Sequence, residues 1–287
     1  MAKGRELKGR IKSVENTRKI TRTLEMVATS KLKRTQDRVA AARPYAQALR
    51  DVIGSLYSPD LADQFPLLRQ PAKMKRAAVM LMTANRGLAG AFNANLIKEA
   101  RATIARLERD GVEVDVHVVG RKGLGYFRYV GRKVAASRTD IGDRPTAAEA
   151  AELVNDLTTA FSRGEIDGVY VIYPNFKSVL SAPPATVQVL PVTPPASDAK
   201  RRDYILAPDA NAILGELLPL YVRNAVYRAL VEMTAAFYAA QRTAMKNATD
   251  NATDMLKILG RTYNRARQAN ITQEIAEIVG GAAALQG

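Results

Sequence analysis

The stretch from Leu220 to Val279 constrains the fold more than any other part of the sequence. It contains no Pro, and Gly260 is its only Gly. Small or apolar residues recur along it in steps of three and four, which is the period of one face of an α-helix. At ~1.5 Å per residue, such a helix would be a rod on the order of 90 Å long. A single compact domain cannot contain this rod, so another element must cover its apolar face.

The N-terminal segment offers the partner for this helix. Its small and apolar residues follow a nearly heptad spacing over four repeats, which favours a two-helix coiled coil. Pro44 interrupts the pattern without changing its phase, so we expect a kink there rather than the end of the helix. The residues of this seam are Leu24, Ala28, Leu32, Thr35, Val39, Ala42, Ala46, Leu49, Ile53 and Leu56.

The sequence between the two helices is of a different kind. Buried-strand runs such as Ala77–Met82 alternate with amphipathic helical segments, a pattern that predicts an α/β domain with a small, mostly parallel open sheet of Rossmann-like type. The predicted domains are an N-terminal helix (1–58), a proline-containing connector (59–76), the central α/β domain (77–207) and a C-terminal helix (208–287).

Composition and charge exclude several kinds of function. The chain has no Cys, so it can form neither disulfides nor thiolate metal sites. Its net charge is +15, and residues 1–50 hold 14 Lys or Arg against 4 acids. This imbalance indicates an acidic partner. We expect a protein surface rather than nucleic acid, because residues 1–44 contain no aromatic residue that could stack on a base. No apolar run approaches the ~20 residues of a membrane span, so we expect a cytosolic chain whose membrane association is at most peripheral.

The central domain shows no catalytic set. Two glycine turns, Gly87–Gly90 and Gly120–Gly123, lie where an open sheet can bind phosphate, but neither matches a nucleotide-binding motif. His117 is the only His, and it lies in an alternating strand, which favours a structural role. We therefore predict no catalytic residue, no cofactor and no metal. Two hypotheses remain: a mechanical element of a larger assembly, and a doubly wound small-molecule enzyme with a coiled-coil dimerisation arm.

Six blocks of residues favour the first hypothesis. Over nearly its whole length the chain resembles the gamma subunits of the rotary F-type ATP synthases. The blocks that carry the resemblance are Ser13-Val14-Glu15-Asn16-Thr17-Arg18-Lys19-Ile20-Thr21, Glu25-Met26-Val27-Ala28-Thr29-Ser30-Lys31-Leu32, Ala42-Arg43-Pro44-Tyr45, Arg86-Gly87-Leu88-Ala89-Gly90-Ala91-Phe92-Asn93, Ala244-Met245-Lys246-Asn247-Ala248-Thr249-Asp250-Asn251-Ala252 and Asn264-Arg265-Ala266-Arg267-Gln268-Ala269-Asn270-Ile271-Thr272-Gln273-Glu274-Ile275.

The resemblance implies a function as well as a fold. The terminal helices would form an antiparallel coiled-coil shaft inside a ring of alternating alpha and beta subunits, with one copy of this chain per complex. The α/β domain would sit with the epsilon subunit on the membrane-embedded c-ring. Ion flow would turn the ring and the shaft, and the shaft would drive the catalytic beta subunits through ATP synthesis. The chain would be a non-catalytic, peripheral protein on the cytoplasmic face of the cell inner membrane.

The resemblance also assigns contacts to residues of this chain. The contacts with the beta-subunit catch loop would be Arg267, Gln268 and Thr272. The contacts with the acidic lever loop of the beta subunit would be Lys31, Lys33, Arg34 and Arg38. The apolar bearing tip would be Ile278, Val279, Ala282, Ala283, Ala284 and Leu285. Tyr204 would lie at the foot, near the c-ring.

Six positions depart from the family pattern. Ala236-Phe237-Tyr238 stands where Ser-Glu-His is common, and Asn85 and Ala89 stand where Asp and Cys are usual. Ala207 replaces an acid beside the foot. From sequence alone we expect these changes to alter contacts with the epsilon subunit and the c-ring.

Overall fold

A computed structural model describes residues 2–56, 64–193 and 209–286 of the chain, and for residues 2–4 and 283–286 it describes the backbone only. A short 3-10 helix, Pro66–Leu68, follows the first long helix. The other elements in chain order are α1 (Ala2–Leu56), β1 (Arg76–Met82), α2 (Phe92–Arg109), β2 (Glu113–Val119), α3 (Arg121–Tyr129), β3 (Ala136–Arg138), α4 (Ala147–Ser162), β4 (Gly168–Pro174), β5 (Pro184–Leu190) and α5 (Ala210–Gln286).

The five strands form one sheet in the order β3-β2-β1-β4-β5. The first four strands run parallel, and β5 pairs antiparallel with β4 at the edge. Strand β1 lies at the centre, and its residues Ala77–Met82 are all buried, which explains their continuous apolar run. The mostly parallel open sheet predicted from the sequence is confirmed.

Both long helices are also confirmed. Helix α1 runs through Pro44 without ending there. Helix α5 begins ten residues before the stripe that identified it and runs through Pro219. Its start is fixed by Asp209, whose side chain accepts a hydrogen bond of 2.8 Å from the backbone N–H of Ala212.

The chain divides into two compact units, and each long helix contributes residues to both. Unit 1 comprises residues 1–29 and 241–287. In it, α1 and α5 meet through a seam of small residues. The Thr249 hydroxyl donates a hydrogen bond of 2.8 Å to the Thr21 hydroxyl, and both residues are buried. Ala28 and Ala252 are buried as well. Side chains of this size let two helices approach closely, at the cost of little apolar area per layer.

Unit 2 comprises residues 30–240 and contains the sheet. Within this unit the two long helices run antiparallel. Lys31 of α1 contacts Tyr238 of α5, whereas Arg43 and Arg50, further along α1, share a cleft with the earlier α5 residue Arg228. Every residue of α5 from 229 to 239 is buried. A helix that is covered on all sides requires small or apolar residues around its whole circumference, and this segment has them apart from Glu232 and Thr234.

Gly120, at the turn between β2 and α3, provides a test of the sheet's packing. It has a φ of +97°, and an added Cβ would lie 2.0 Å from the backbone oxygen of Thr83. Gly111 also has a positive φ, +77°, but has open space around it. We expect G111A to lower the free energy of unfolding by about 1 kcal/mol through backbone strain alone. We expect G120A to lower the free energy of unfolding by at least about twice that amount, because the backbone at Thr83, directly after β1, must also move.

Urea unfolding of the full chain, followed by circular dichroism, measures both changes. Equal losses in the two variants would contradict the close packing at Gly120.

Candidate functional site

The most connected polar group in unit 2 joins four separate elements around one carboxylate. We call it the Asp143 cluster, and its members are Lys31 (α1), Arg86 (after β1), Asp143 (before α4) and Tyr238 (α5). Lys31 Nζ lies 2.7 Å from Asp143 Oδ2, and Arg86 donates to the other carboxylate oxygen. The Tyr238 hydroxyl accepts from Lys31 at 3.1 Å and from Arg86 at 2.8 Å. The cluster therefore ties both long helices to two loops of the α/β domain.

The ionisation of Asp143 reflects this environment. Burial alone would raise the pKa of its carboxyl group, but hydrogen bonds from Lys31, Tyr238 and Arg86 outweigh burial and lower the pKa to about 2. The same bonds to Asp143 and Tyr238 raise the pKa of Lys31 above its ordinary value. Asp143 is thus held as a carboxylate and Lys31 as an ammonium group at neutral pH.

Three of the departures from the family pattern meet beside this cluster. Phe237 packs edge to face on Phe92 with ring centroids 5.8 Å apart, and Tyr238 supplies the shared hydroxyl. Asn85 donates to the backbone oxygen of Ile141, two residues before Asp143. Ala236, Phe237 and Tyr238 are all at most 4% exposed. Ala236, Phe237 and Tyr238 are therefore core residues of unit 2, a role that the sequence alone did not reveal.

The carboxyl edge of the sheet next to the cluster carries a cavity of about 360 Å³. Parallel sheets bind phosphates at this edge through free N–H groups at a helix N-terminus. Here the first N–H groups of α3 already have partners within the chain. Arg121 N donates to Asn85 Oδ1 at 3.0 Å, Lys122 N to the Ala84 backbone oxygen at 3.2 Å, and Gly123 N to Thr83 Oγ1 at 2.9 Å. The glycine turn at 120–123 thus serves helix capping.

His117 lies in β2 with its side chain partly buried, and burial lowers the pKa of its imidazole. The nearest acid on the same strand face, Asp115, bonds to Arg76 Nε at 2.8 Å instead. This arrangement agrees with a structural histidine.

Of the predicted contact residues, some are exposed, some bond within the chain, and some lie outside the described residues. Arg267, Gln268 and Thr272 are exposed on one stretch of α5, where the Thr272 hydroxyl donates to the Gln268 backbone oxygen at 3.0 Å. In α1, Lys33 and Arg34 are exposed.

Lys31 and Arg38 bond to Asp143 of the same chain, Lys31 to its carboxylate and Arg38 to its backbone oxygen at 3.2 Å. Of the predicted tip, Ile278, Val279 and Ala282 are exposed. Tyr204 and Ala207 lie outside the described residues, as do the side chains of Ala283, Ala284 and Leu285.

Comparison with known proteins agrees with this fold. A family model described as ATP synthase matches residues 3–285. The ATP synthase gamma chain of Gemmatimonas aurantiaca is 68% identical over 290 residues and the whole of both chains. That of Leptospira biflexa is 41% identical over 99% of this chain and 100% of its own.

Solved structures are similar at the level of fold. The rotor of the Euglena gracilis mitochondrial ATP synthase matches with a TM-score of 0.66 and 18% identity, over 94% of this chain and 99% of that one. A Tetrahymena thermophila central-stalk structure matches with a TM-score of 0.60 and 24% identity, over 80% of this chain and 99% of that one.

The family model and the curated relatives place the chain in the class of ATP synthase subunits, and the solved central-stalk and rotor structures share its fold. Within that class, the chain belongs to the ATP synthase gamma-chain family. Its function is that of the central-stalk rotor, and it is a non-catalytic subunit because ATP is made at the beta subunits of the complex. In the part of the chain that the structure describes, no helix combines the length and apolarity needed to cross a membrane.

The seam of unit 1 can be tested by crosslinking, because the chain has no Cys of its own. We expect T21C/T249C to form an intramolecular disulfide on mild oxidation, since the native hydroxyls are 2.8 Å apart and buried. T23C/T249C is the matched control, because Thr23 is exposed and bonds to the Lys19 backbone oxygen. Non-reducing electrophoresis and mass spectrometry distinguish the two. Equal crosslinking, or disulfide-linked dimers from T21C/T249C, would contradict the pairing.

The Asp143 cluster predicts a pH-dependent contribution to stability. At neutral pH we expect D143N to lower the free energy of unfolding by about 1 to 2 kcal/mol, a value reduced because the Asp143 side chain is 37% exposed. The folded pKa of about 2 is below the ordinary 3.8, so this contribution is complete above pH 3.8 and is lost as pH falls towards 2.

The matched control for this prediction is D37N, which breaks the exposed Lys33–Asp37 pair. We expect that change to stay within about 0.5 kcal/mol. Urea unfolding at a series of pH values measures both variants. A difference between wild type and D143N that does not shrink below pH 3.8 would rule out the electrostatic account.

Proposed function

We propose that this chain turns as the shaft of an ATP synthase and makes direct contacts with the alpha and beta subunits, the epsilon subunit and the c-ring, one copy per complex. The observation that carries this proposal is the uncovered end of α5. Ile271, Ile275, Ile278 and Val279 are 46%, 56%, 71% and 62% exposed. Clustered aliphatic side chains on one exposed helix mark a surface that other proteins cover.

The catch contacts are proposed for Arg267, Gln268 and Thr272. These side chains extend from the same exposed stretch of α5, and the two longer ones make no side-chain hydrogen bond within the described residues. They are therefore free to bond to a beta subunit. The tip would follow at Ile278, Val279 and residues 282–285, where apolar contacts permit rotation without directional hydrogen bonds.

The lever contacts are proposed for Lys31, Lys33, Arg34 and Arg38. These four residues differ in whether the side chain already bonds to another element of the same chain. Lys33 pairs only with Asp37 of its own helix, at 3.1 Å and with both side chains more than half exposed. Lys31 and Arg38 are held by Asp143. We expect Lys33 and Arg34 to meet the acidic lever first, each exposed pair contributing ~0.2 to 1 kcal/mol. Pairs of this strength attract without locking the rotor to one beta subunit.

Within unit 2 the Asp143 cluster is proposed to transmit force between the α/β domain and the two long helices. It joins α1 and α5 to loops that follow β1 and precede α4, so a force on the α/β domain reaches both helices through short charged hydrogen bonds. Tyr204 is proposed as the foot near the c-ring. The complex would hold this chain as a peripheral protein on the cytoplasmic face of the cell inner membrane. We propose domain limits at residues 58, 76 and 207.

The alternative of an enzyme with a dimerisation arm loses its main support. The small-residue seam that would serve as the arm is used within the chain, where Thr21 bonds to Thr249. No second copy is needed to cover these two residues.

The contacts with the beta subunit can be tested in the assembled complex with R267A/Q268A/T272A. We expect the alpha and beta subunits to co-purify as before, while ATP-driven ion pumping per ATP hydrolysed falls by about tenfold. Three side-chain hydrogen bonds of ~0.5 kcal/mol each sum to ~1.5 kcal/mol, close to the ~1.4 kcal/mol that corresponds to that factor.

The control is N95A/K98A/R101A, which alters three exposed residues of α2. Coupling equal to wild type in the α5 variant would remove the catch assignment. Failure of the unaltered chain to co-purify with alpha and beta subunits would overturn the rotor proposal itself.

A further inference from the structure

A second recess in unit 2 is strongly basic. We call it the basic cleft, and it has a volume of about 250 Å³. It lies between α1, α5 and the segment that follows β4. Its lining residues are Arg43, Gln47, Arg50, Asn175, Phe176, Lys177, Arg228 and Glu232. Four of them are cationic and one is acidic.

The single acid is fully engaged. Glu232 is 2% exposed, and its Oε1 accepts from Arg228 Nε at 2.7 Å. Its Oε2 accepts from the backbone N–H of Phe176 at 3.1 Å. Glu232 therefore pairs with Arg228, and each of its carboxylate oxygens already accepts one hydrogen bond.

The other three cations have no counter-ion in the part of the chain that the structure describes. Among the described residues, no carboxylate lies within 4.0 Å of Arg43, Arg50 or Lys177. Arg50 Nη2 bonds to Gln47 Oε1 at 2.7 Å, but its Nε is buried without any hydrogen-bond partner. Arg43 reaches only the Phe176 backbone oxygen, at 3.5 Å. Three like charges around one recess repel each other, and a buried donor without a partner adds a desolvation cost.

We infer that the basic cleft binds a small phosphate-bearing anion. Guanidinium groups match tetrahedral oxyanions through paired N–H donors, and Lys177 supplies a further point charge. Three uncompensated cations balance a dianionic phosphate better than the single charge of a carboxylate side chain. The ligand is either inorganic phosphate or the phosphate end of a nucleoside diphosphate. The cleft recognises the phosphate in both, because its only aromatic ring, Phe176, is buried.

This site is separate from the predicted contacts with the beta subunit. None of its residues belongs to the catch, lever or tip sets, so phosphate binding and rotor function can fail independently.

Isothermal titration of the full chain with inorganic phosphate, at constant ionic strength, tests the inference. We expect saturable binding at one site per chain. K177Q removes an exposed cation and should leave the fold intact, and we expect it to weaken binding by about tenfold, the factor of one charge-assisted hydrogen bond. R50Q should weaken binding at least as much. The matched controls K98Q and R101Q make the same charge changes at exposed positions of α2 and should bind as wild type.

Further titrations identify the source of the phosphate. Binding of inorganic phosphate with the same affinity as ADP would mean that the phosphate group alone is read. Tighter binding of ADP, still weakened by K177Q, would place a nucleoside diphosphate in the cleft. The inference is overturned by unsaturable binding, by equal weakening in K98Q and K177Q, or by binding of a polyglutamate peptide when neither phosphate ligand binds.

Discussion

The structure of unit 2 depends on the burial of α5 between residues 229 and 239. This segment contacts α1 through Lys31 and Tyr238, α2 through Phe92 and Phe237, and the segment after β4 through Glu232. Because it is covered on all sides, every polar group in it must find a partner inside the protein. Glu232 bonds to Arg228 and to a backbone N–H, and Thr234 bonds to the Leu230 backbone oxygen. Both the Asp143 cluster and the basic cleft arise at the edges of this buried segment.

The same burial determines the partners that Phe237 and Tyr238 need. A bulky Phe237 needs an apolar neighbour, and Phe92 provides one at 5.8 Å. A buried Tyr238 hydroxyl needs hydrogen-bond partners, and Lys31 and Arg86 provide two. Changing any one of these residues alone would leave a cavity or an unsatisfied polar group. Phe237 and Tyr238 are thus packed in the core together with the residues that compensate for their bulk and their polarity.

Much of the fold could be predicted from the sequence, because its signals are local. The apolar run at Ala77–Met82 and the three-four spacing of the terminal segments each reflect the burial of one element. The Asp143 cluster could not be predicted in this way, since its members are separated by up to 207 positions and each looks like an ordinary surface charge. The position of Lys31 illustrates the limit. Periodicity places Lys31 beside the seam but does not show that Asp143 lies within 2.7 Å.

Two lysines of α1 form ion pairs that differ in exposure. Lys31 and Lys33 each pair with an Asp, at 2.7 Å and 3.1 Å. Lys31 is 38% exposed and shares its acid with Arg86, so its ion pair is less screened and more fixed in geometry than that of Lys33. Lys33 is 77% exposed, and water and salt weaken its pair until it contributes almost nothing. A rotor needs the first kind of contact within itself, so that torque is not lost in bending. It needs the second kind towards its neighbours, so that each contact can be released when the next one forms.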